Sequence, residues 1–132
     1  MSNKKLGNDF ESEFCKILSE HGYWCHNMAQ NAAGQPADVI AVKDTIAYLI
    51  DCKVCSNDKF PFSRIEDNQE LAMEMWRDCG NTHGIFALKY SDGIYMVPMY
   101  SMILCRNRYS SMTLDLVKMY GLSLEEWLEV RA

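Results

Sequence analysis

Two apolar runs in this chain begin or end in charge. Asp38 opens Val39-Ile40-Ala41-Val42, and Ile46-Ala47-Tyr48-Leu49-Ile50 runs into Asp51-Cys52-Lys53. Aspartate and lysine are depleted in strands, so two carboxylates and a lysine at neighbouring strand ends need a reason. Side chains alternate along a strand, so Asp51 and Lys53 share one face and Cys52 takes the other. Lys43-Asp44 fits a tight connection, which pairs the runs as an antiparallel hairpin and brings Asp38 close to Asp51. Carboxylates crowded in a partly buried place raise one another's pKa. A hard divalent cation removes that cost, and magnesium needs only two or three carboxylates because it keeps several waters. Such an ion acidifies its bound water and stabilises phosphorane-like charge, while a nearby ammonium holds a phosphate oxygen or orients the water. These parts suit phosphodiester hydrolysis.

The elements that position these groups follow from periodicity and punctuation. Residues 8–21 read as a helix, capped by Asn8 or Asp9 and ended by Gly22. Phe10, Phe14, Ile17, Leu18 and His21 form its core stripe, with His21 read as a packed helix-end residue. Glu11 falls beside Leu18 at the stripe's edge. It is either a solvated edge residue, which the helix alone favours, or an acid turned toward the interior. Strands follow at 23–30, 38–43 and 45–54, with a polar loop at 31–36 and another at 55–63. A helix from Ser63 or Arg64 to Cys79 is closed by Gly80. A strand at 84–90, a turn at Ser91-Asp92-Gly93 and a strand at 94–97, stopped by Pro98, come next. The tail reads as helical, with Thr113–Tyr120 and a capping box from Ser123 to Glu126. The order is that of an α/β domain, with a mixed central sheet flanked by helices and extra C-terminal helices.

At 132 residues, without internal repeat or linker, the chain fits one domain. Its 48% apolar and 23% charged residues are a globular composition. No apolar run reaches the roughly 20 residues of a membrane span, and no secretory signal is visible, which points to a cytoplasmic protein. The net charge of −5 opposes a nonspecific nucleic-acid binder, yet it suits a site that gathers carboxylates around a cation. In that compartment the six cysteines read as thiols. Cys52-Lys53-Val54-Cys55 has CxxC spacing, but it has no second pair, and residues three apart on a strand face opposite ways, which is poor chelate geometry.

The quoted residues also resemble a family pattern. Pro36-Ala37-Asp38, then Asp51-Cys52-Lys53, preceded by Glu11, is similar to the PD-(D/E)XK nucleases, with the proline two places before the aspartate rather than adjacent. Gly7-Asn8-Asp9-Phe10-Glu11 resembles the opening helix of Holliday junction resolvases. Lys59-Phe60-Pro61-Phe62-Ser63-Arg64 leading to Asn68-Gln69 resembles the RecU branch, which commonly has His-Gln there, and Gly84–Tyr90 stands as the next core strand. The resemblance spans about residues 7–98. No insertion supplies a RecU-like stalk, and the size is nearer that of the small archaeal resolvases.

The resemblance implies an αβββαβ core, Mg²⁺ or Mn²⁺ as cofactor, and roles for particular residues. Glu11, Asp38, Asp51 and the Cys52 carbonyl would bind the ion. Lys53 would orient the water or stabilise the transition state, and Gln69 would support the metal or substrate from the following helix. It implies branched DNA as partner, four-way junctions above all, cut to 5′-phosphates by a homodimer. Ile103, Leu104, Leu124 and Trp127 are candidates for its surface. Lys4, Lys5, Lys59, Ser63 and Arg64, with Arg106 and Arg108, are candidates for DNA contact, each equally readable as solvated surface. Two other readings stay open: a nuclease of this fold acting on flaps, ends or linear DNA, and a catalytically silent DNA-binding protein.

Overall fold

Asp44 and Thr45 occupy left-handed backbone (φ 51° and 68°) and turn the chain sharply, so that β2 (Val39–Lys43) and β3 (Ile46–Val54) pair antiparallel with Lys43 opposite Ile46. The computed structural model describes residues 3–28 and 37–130, without the side chains of Asn3 and Lys4. The polar loop at 31–36, including Pro36, lies outside the described residues. Antiparallel β1 (Trp24–Asn27) adds to β2, in register with Trp24 opposite Val42. On its other side β3 takes β5 (Ile85–Tyr90) in parallel, and β6 (Gly93–Pro98) and β8 (Leu122–Ser123) follow antiparallel. The sheet order is thus β1-β2-β3-β5-β6-β8, mixed as expected. A parallel pair needs a crossover, which here runs through α2 (Asp67–Asp78).

β3 is the axis of this arrangement because both its faces are covered. Ile50 and Cys52 pack with Phe10, Phe14 and Leu18 of α1 (Asn3–Glu20) and with Leu124 and Trp127 of α5 (Leu124–Val130). Leu49 faces the other side, with Met73 of α2, Met102 of α3 (Met99–Arg106) and Val117 of α4 (Leu114–Tyr120). A second, two-stranded sheet joins β4 (Lys59–Pro61) to β7 (Ser111–Thr113), placing buried Phe60 opposite Met112.

Several elements differ from the sequence reading. The first helix starts at Asn3, so Lys4 and Lys5 belong to its opening turn. The segment 55–63 is ordered, because β4 and its pairing with β7 draw Phe60 and Phe62 into the core. Consequently α2 begins only at Asp67, and Ser63 and Arg64 are exposed residues of a single 3₁₀ turn ahead of it rather than the start of the helix. His21 is exposed, its Nδ1 2.8 Å from the Ile17 carbonyl. Leu124 and Trp127 are each 3% exposed, the Trp127 ring stacking on Tyr23, so neither offers a surface to a partner. Ile103 is half-buried, and Leu104 remains half-exposed at 50%. All six cysteines are unpaired.

Candidate active site

The end of β3 and the start of β2 meet at Asp38. Its N–H donates to the Ile50 carbonyl (3.1 Å), which carries the ladder one residue before β2. Its Oδ2 accepts the Cys52 N–H (2.8 Å), which ties its carboxylate to the neighbouring strand. The hairpin, turning at Asp44-Thr45, therefore places Asp38 beside Asp51. Asp51 is fully buried on the α2 side of the sheet. Its Oδ1 accepts from Gln69 Nε2 (3.1 Å), and its Oδ2 has the Lys53 ammonium at 3.3 Å without a well-formed hydrogen bond. Gln69 itself is only 5% exposed.

Glu11 reaches the same region from α1, on the opposite face. It is 6% exposed, which corrects the solvated-edge reading: the helix edge that looks outward in isolation is roofed by the sheet end. Asp38 is the electrostatic link between the two acids. Burial first, then the charge of Asp38, pushes the Glu11 carboxyl up to about 7, against the pull of Lys53. Burial and Asp38 likewise hold Asp51 well above the usual carboxylate range. Burial raises the Cys52 thiol, and the three acids around it add to this, which makes it an inert apolar neighbour rather than a nucleophile.

These groups open onto a cleft of about 590 Å³. Glu11, Asp38, Cys52 and Lys53 line it at the sheet end, Asn8 from α1, and Ser56, Asn57, Lys59 and Arg64 from the segment after β3. Arg64 is fixed there, donating to the Val54 carbonyl (3.1 Å) with its guanidinium 5.2 Å from the Phe60 ring centre. Of the other DNA candidates, Lys5 sits outside the cleft lining and pairs with Asp9 at 3.2 Å. The Lys4 side chain lies outside the described residues. Ser63 is exposed but not in the cleft lining, and so is Arg108. Arg106 grips Glu70 through both Nη atoms (2.7 and 3.1 Å), fastening α3 to α2. Sequence reading missed Ser56 and Asn57. The one available signal was Asn57-Asp58, two residue types that tolerate left-handed turns.

Among the described residues, no three Asp, Glu, His or Cys side chains are arranged to hold an ion between them. The donor chemistry nonetheless fits a hard cation. Two carboxylates line the cleft, and a third is buried behind them with one oxygen short of a hydrogen bond. Magnesium is commonly held by one or two carboxylates, with waters and substrate phosphates completing its shell.

A mixed sheet with an acid at the start of one strand, Asp-x-Lys at the end of the next and a glutamate from the preceding helix defines the PD-(D/E)XK nuclease class. The sequence profile of the archaeal Holliday junction resolvase family, Hjc, matches residues 2–132, and the chain belongs to that family. Among solved structures, the Holliday junction resolvase Hjc of the archaeal hyperthermophile Archaeoglobus fulgidus is similar. It superposes with a TM-score of 0.72 at 16% identity, over 92% of this chain and 99% of that one. No individually curated protein sequence matches.

Proposed function

We propose that this protein is a metal-dependent endonuclease that resolves four-way DNA junctions in recombination and repair. The observation that carries this reading is the Gln69–Asp51–Lys53 array, linked through Asp38 to Glu11 at the floor of a cleft edged by Lys59 and Arg64. Glu11, Asp38, Asp51 and the Cys52 carbonyl would hold Mg²⁺ or Mn²⁺, with waters and the substrate phosphate drawing the set together. When bound, the ion supplies an acidified water and neutralises charge on the phosphate. Lys53, 3.3 Å from Asp51 and lining the cleft, would orient a water or a phosphate oxygen. Gln69 keeps the Asp51 carboxylate in one orientation. Lys59 and Arg64 hold the DNA strand through its phosphates. A four-way junction has two-fold symmetry, and paired cuts need two sites, so a C2 dimer is the working form.

The test is cleavage of a labelled four-way junction with Mg²⁺, Mn²⁺ or EDTA, beside a flap and a linear duplex, for wild type and Asp51→Asn. Symmetric nicks on the junction alone, lost in EDTA and in the variant, are expected. Equal cutting of flap or duplex would leave a nuclease without junction selectivity. Tight binding with no cutting would favour a silent DNA-binding protein. Mn²⁺ is also expected to raise the melting temperature of wild type but not of Asp51→Asn, because a ligand of the native state stabilises it.

A further inference from the structure

The segment between Lys53 and Lys59 is folded against local preference. Asn57 (φ 56°, ψ 31°) and Asp58 (φ 53°) are consecutive non-glycine residues in the left-handed region. Residues bearing a Cβ enter that region at a cost, least for asparagine and aspartate, and they persist there only when the surroundings hold them. Both ends of the segment are held. The Cys55 N–H donates to the Lys89 carbonyl (2.9 Å), which extends the parallel β3–β5 ladder. Asp58 then grips Ser91, just past the end of β5. Its Oδ1 accepts the Ser91 N–H (2.9 Å) and its Oδ2 the Ser91 hydroxyl (2.7 Å). These two bonds lower the Asp58 carboxyl below its usual range, with the backbone bond first.

This clamp buries nothing: Ser91 is exposed and Asp58 only half-buried. Its product is a direction. Asp58 turns away from the cleft to Ser91, while Ser56, Asn57 and Lys59 line the cleft beside Lys53, Asn57 standing on the ridge between the cleft and the shallow pocket of Asp58 and Ser91. Asn57 is therefore presented between the lysine at the acidic centre and the lysine at the rim. Its amide carries two N–H donors and no charge, so it would add register on a strand rather than general attraction.

We propose that Asp58 is a positioning residue, holding the left-handed turn so that the Asn57 amide contacts a phosphate oxygen of the DNA strand in the cleft. This rests on the nuclease reading above. The test measures junction binding by anisotropy in EDTA and steady-state cleavage with Mg²⁺ for wild type, Asn57→Ala, Asp58→Ala, the double variant and Ser91→Ala. Loss of one hydrogen bond to a charged group predicts that Asn57→Ala and Asp58→Ala each weaken binding and raise KM about tenfold, with kcat within about twofold. The double variant is expected to be no worse than either single variant, because Asp58 acts through Asn57. Ser91→Ala keeps the backbone bond and folds with one bond fewer, so it is expected to fall between wild type and Asp58→Ala. Wild-type KM and binding in both Asp58→Ala and Ser91→Ala would overturn the proposal. So would a double variant with multiplied losses, about a hundredfold. If wild type itself neither binds nor cuts junctions, the function reading fails and takes the proposal with it. A working wild type with unaffected variants sinks the proposal alone.

Discussion

Gln69 Nε2 donates to Asp51 Oδ1 across 3.1 Å, while the same side chain's Oε1 accepts the Glu66 N–H at a long 3.5 Å. One amide thus fixes the buried acid and closes the first turn of α2, so the helix start and the acid share a reference point. Gln69→Ala leaves a fully buried carboxyl short of a donor. The expected loss is about 1–3 kcal/mol of stability, together with cleavage activity. Gln69→Glu sets a second carboxyl against Asp51 and is expected to do more damage at pH 8 than at pH 5, where one of the two is protonated. Urea midpoints and junction cleavage at both pH values check this. Equal stability of wild type and Gln69→Ala would mean that the bond contributes nothing.

Asp51 illustrates a site that works against the fold. Burial first, and then Asp38, raise its carboxyl, so the folded chain holds the Asp51 proton more tightly than the unfolded chain does. A group shifted this way stabilises the fold below its unfolded pKa, and that contribution is lost as pH rises through the folded value. Asp51→Asn removes the charge and keeps an oxygen for Gln69. The variant is therefore expected to be at least as stable as wild type at pH 8 in EDTA, while cleavage falls by about a hundredfold or more. A variant that is inactive because it is unfolded would contradict this, and circular dichroism with urea melts distinguishes the two.

Glu11 gives the pH dependence a definite window. Its carboxyl rises from its ordinary 4.5 to about 7, so its stabilising contribution is complete below 4.5 and lost as pH climbs to about 7. In EDTA, urea midpoints are expected to fall over that interval, and Glu11→Gln is expected to flatten the fall. An unchanged slope in Glu11→Gln would assign the titration to other groups.

The hairpin and its acids were legible because their cause is local. Alternation fixed the face of Asp51 and Lys53, but the turn lies at Asp44-Thr45, one residue later than the Lys43-Asp44 connection read from the sequence, and that one-residue shift is what brings Asp38 level with Asp51. Glu11 was not legible as a buried residue, because a helix stripe read alone contains no information about the sheet end that covers its edge. The segment 55–63 was misread as loop for the same reason: the partner of Phe60 is Met112, far along the chain. Leu124 and Trp127 fit an apolar helix face equally well whether that face meets Tyr23 or a second subunit, and only the tertiary structure chooses. The link from Gln69 to Asp51 depends on the crossover that carries α2 onto the sheet, which no spacing within α2 encodes.

That crossover offers the last prediction. Gly84, just before β5, lies so close to α2 that a Cβ there would sit 2.7 Å from Met73 Cβ, nearer still to the outer atoms of that side chain. Met73 is 1% exposed and stands one helical turn after Gln69, so it has no outward route and its displacement would carry the start of α2 with it. Gly84→Ala is therefore expected to cost about 1–3 kcal/mol by overpacking, and to reduce cleavage by moving Gln69 away from Asp51. Met73→Ala opens space at the same contact, so the double variant should lose less than the two single losses added together. Urea melts and junction cleavage of all four proteins decide it. Additive losses would mean that the Gly84–Met73 approach does not set the position of α2.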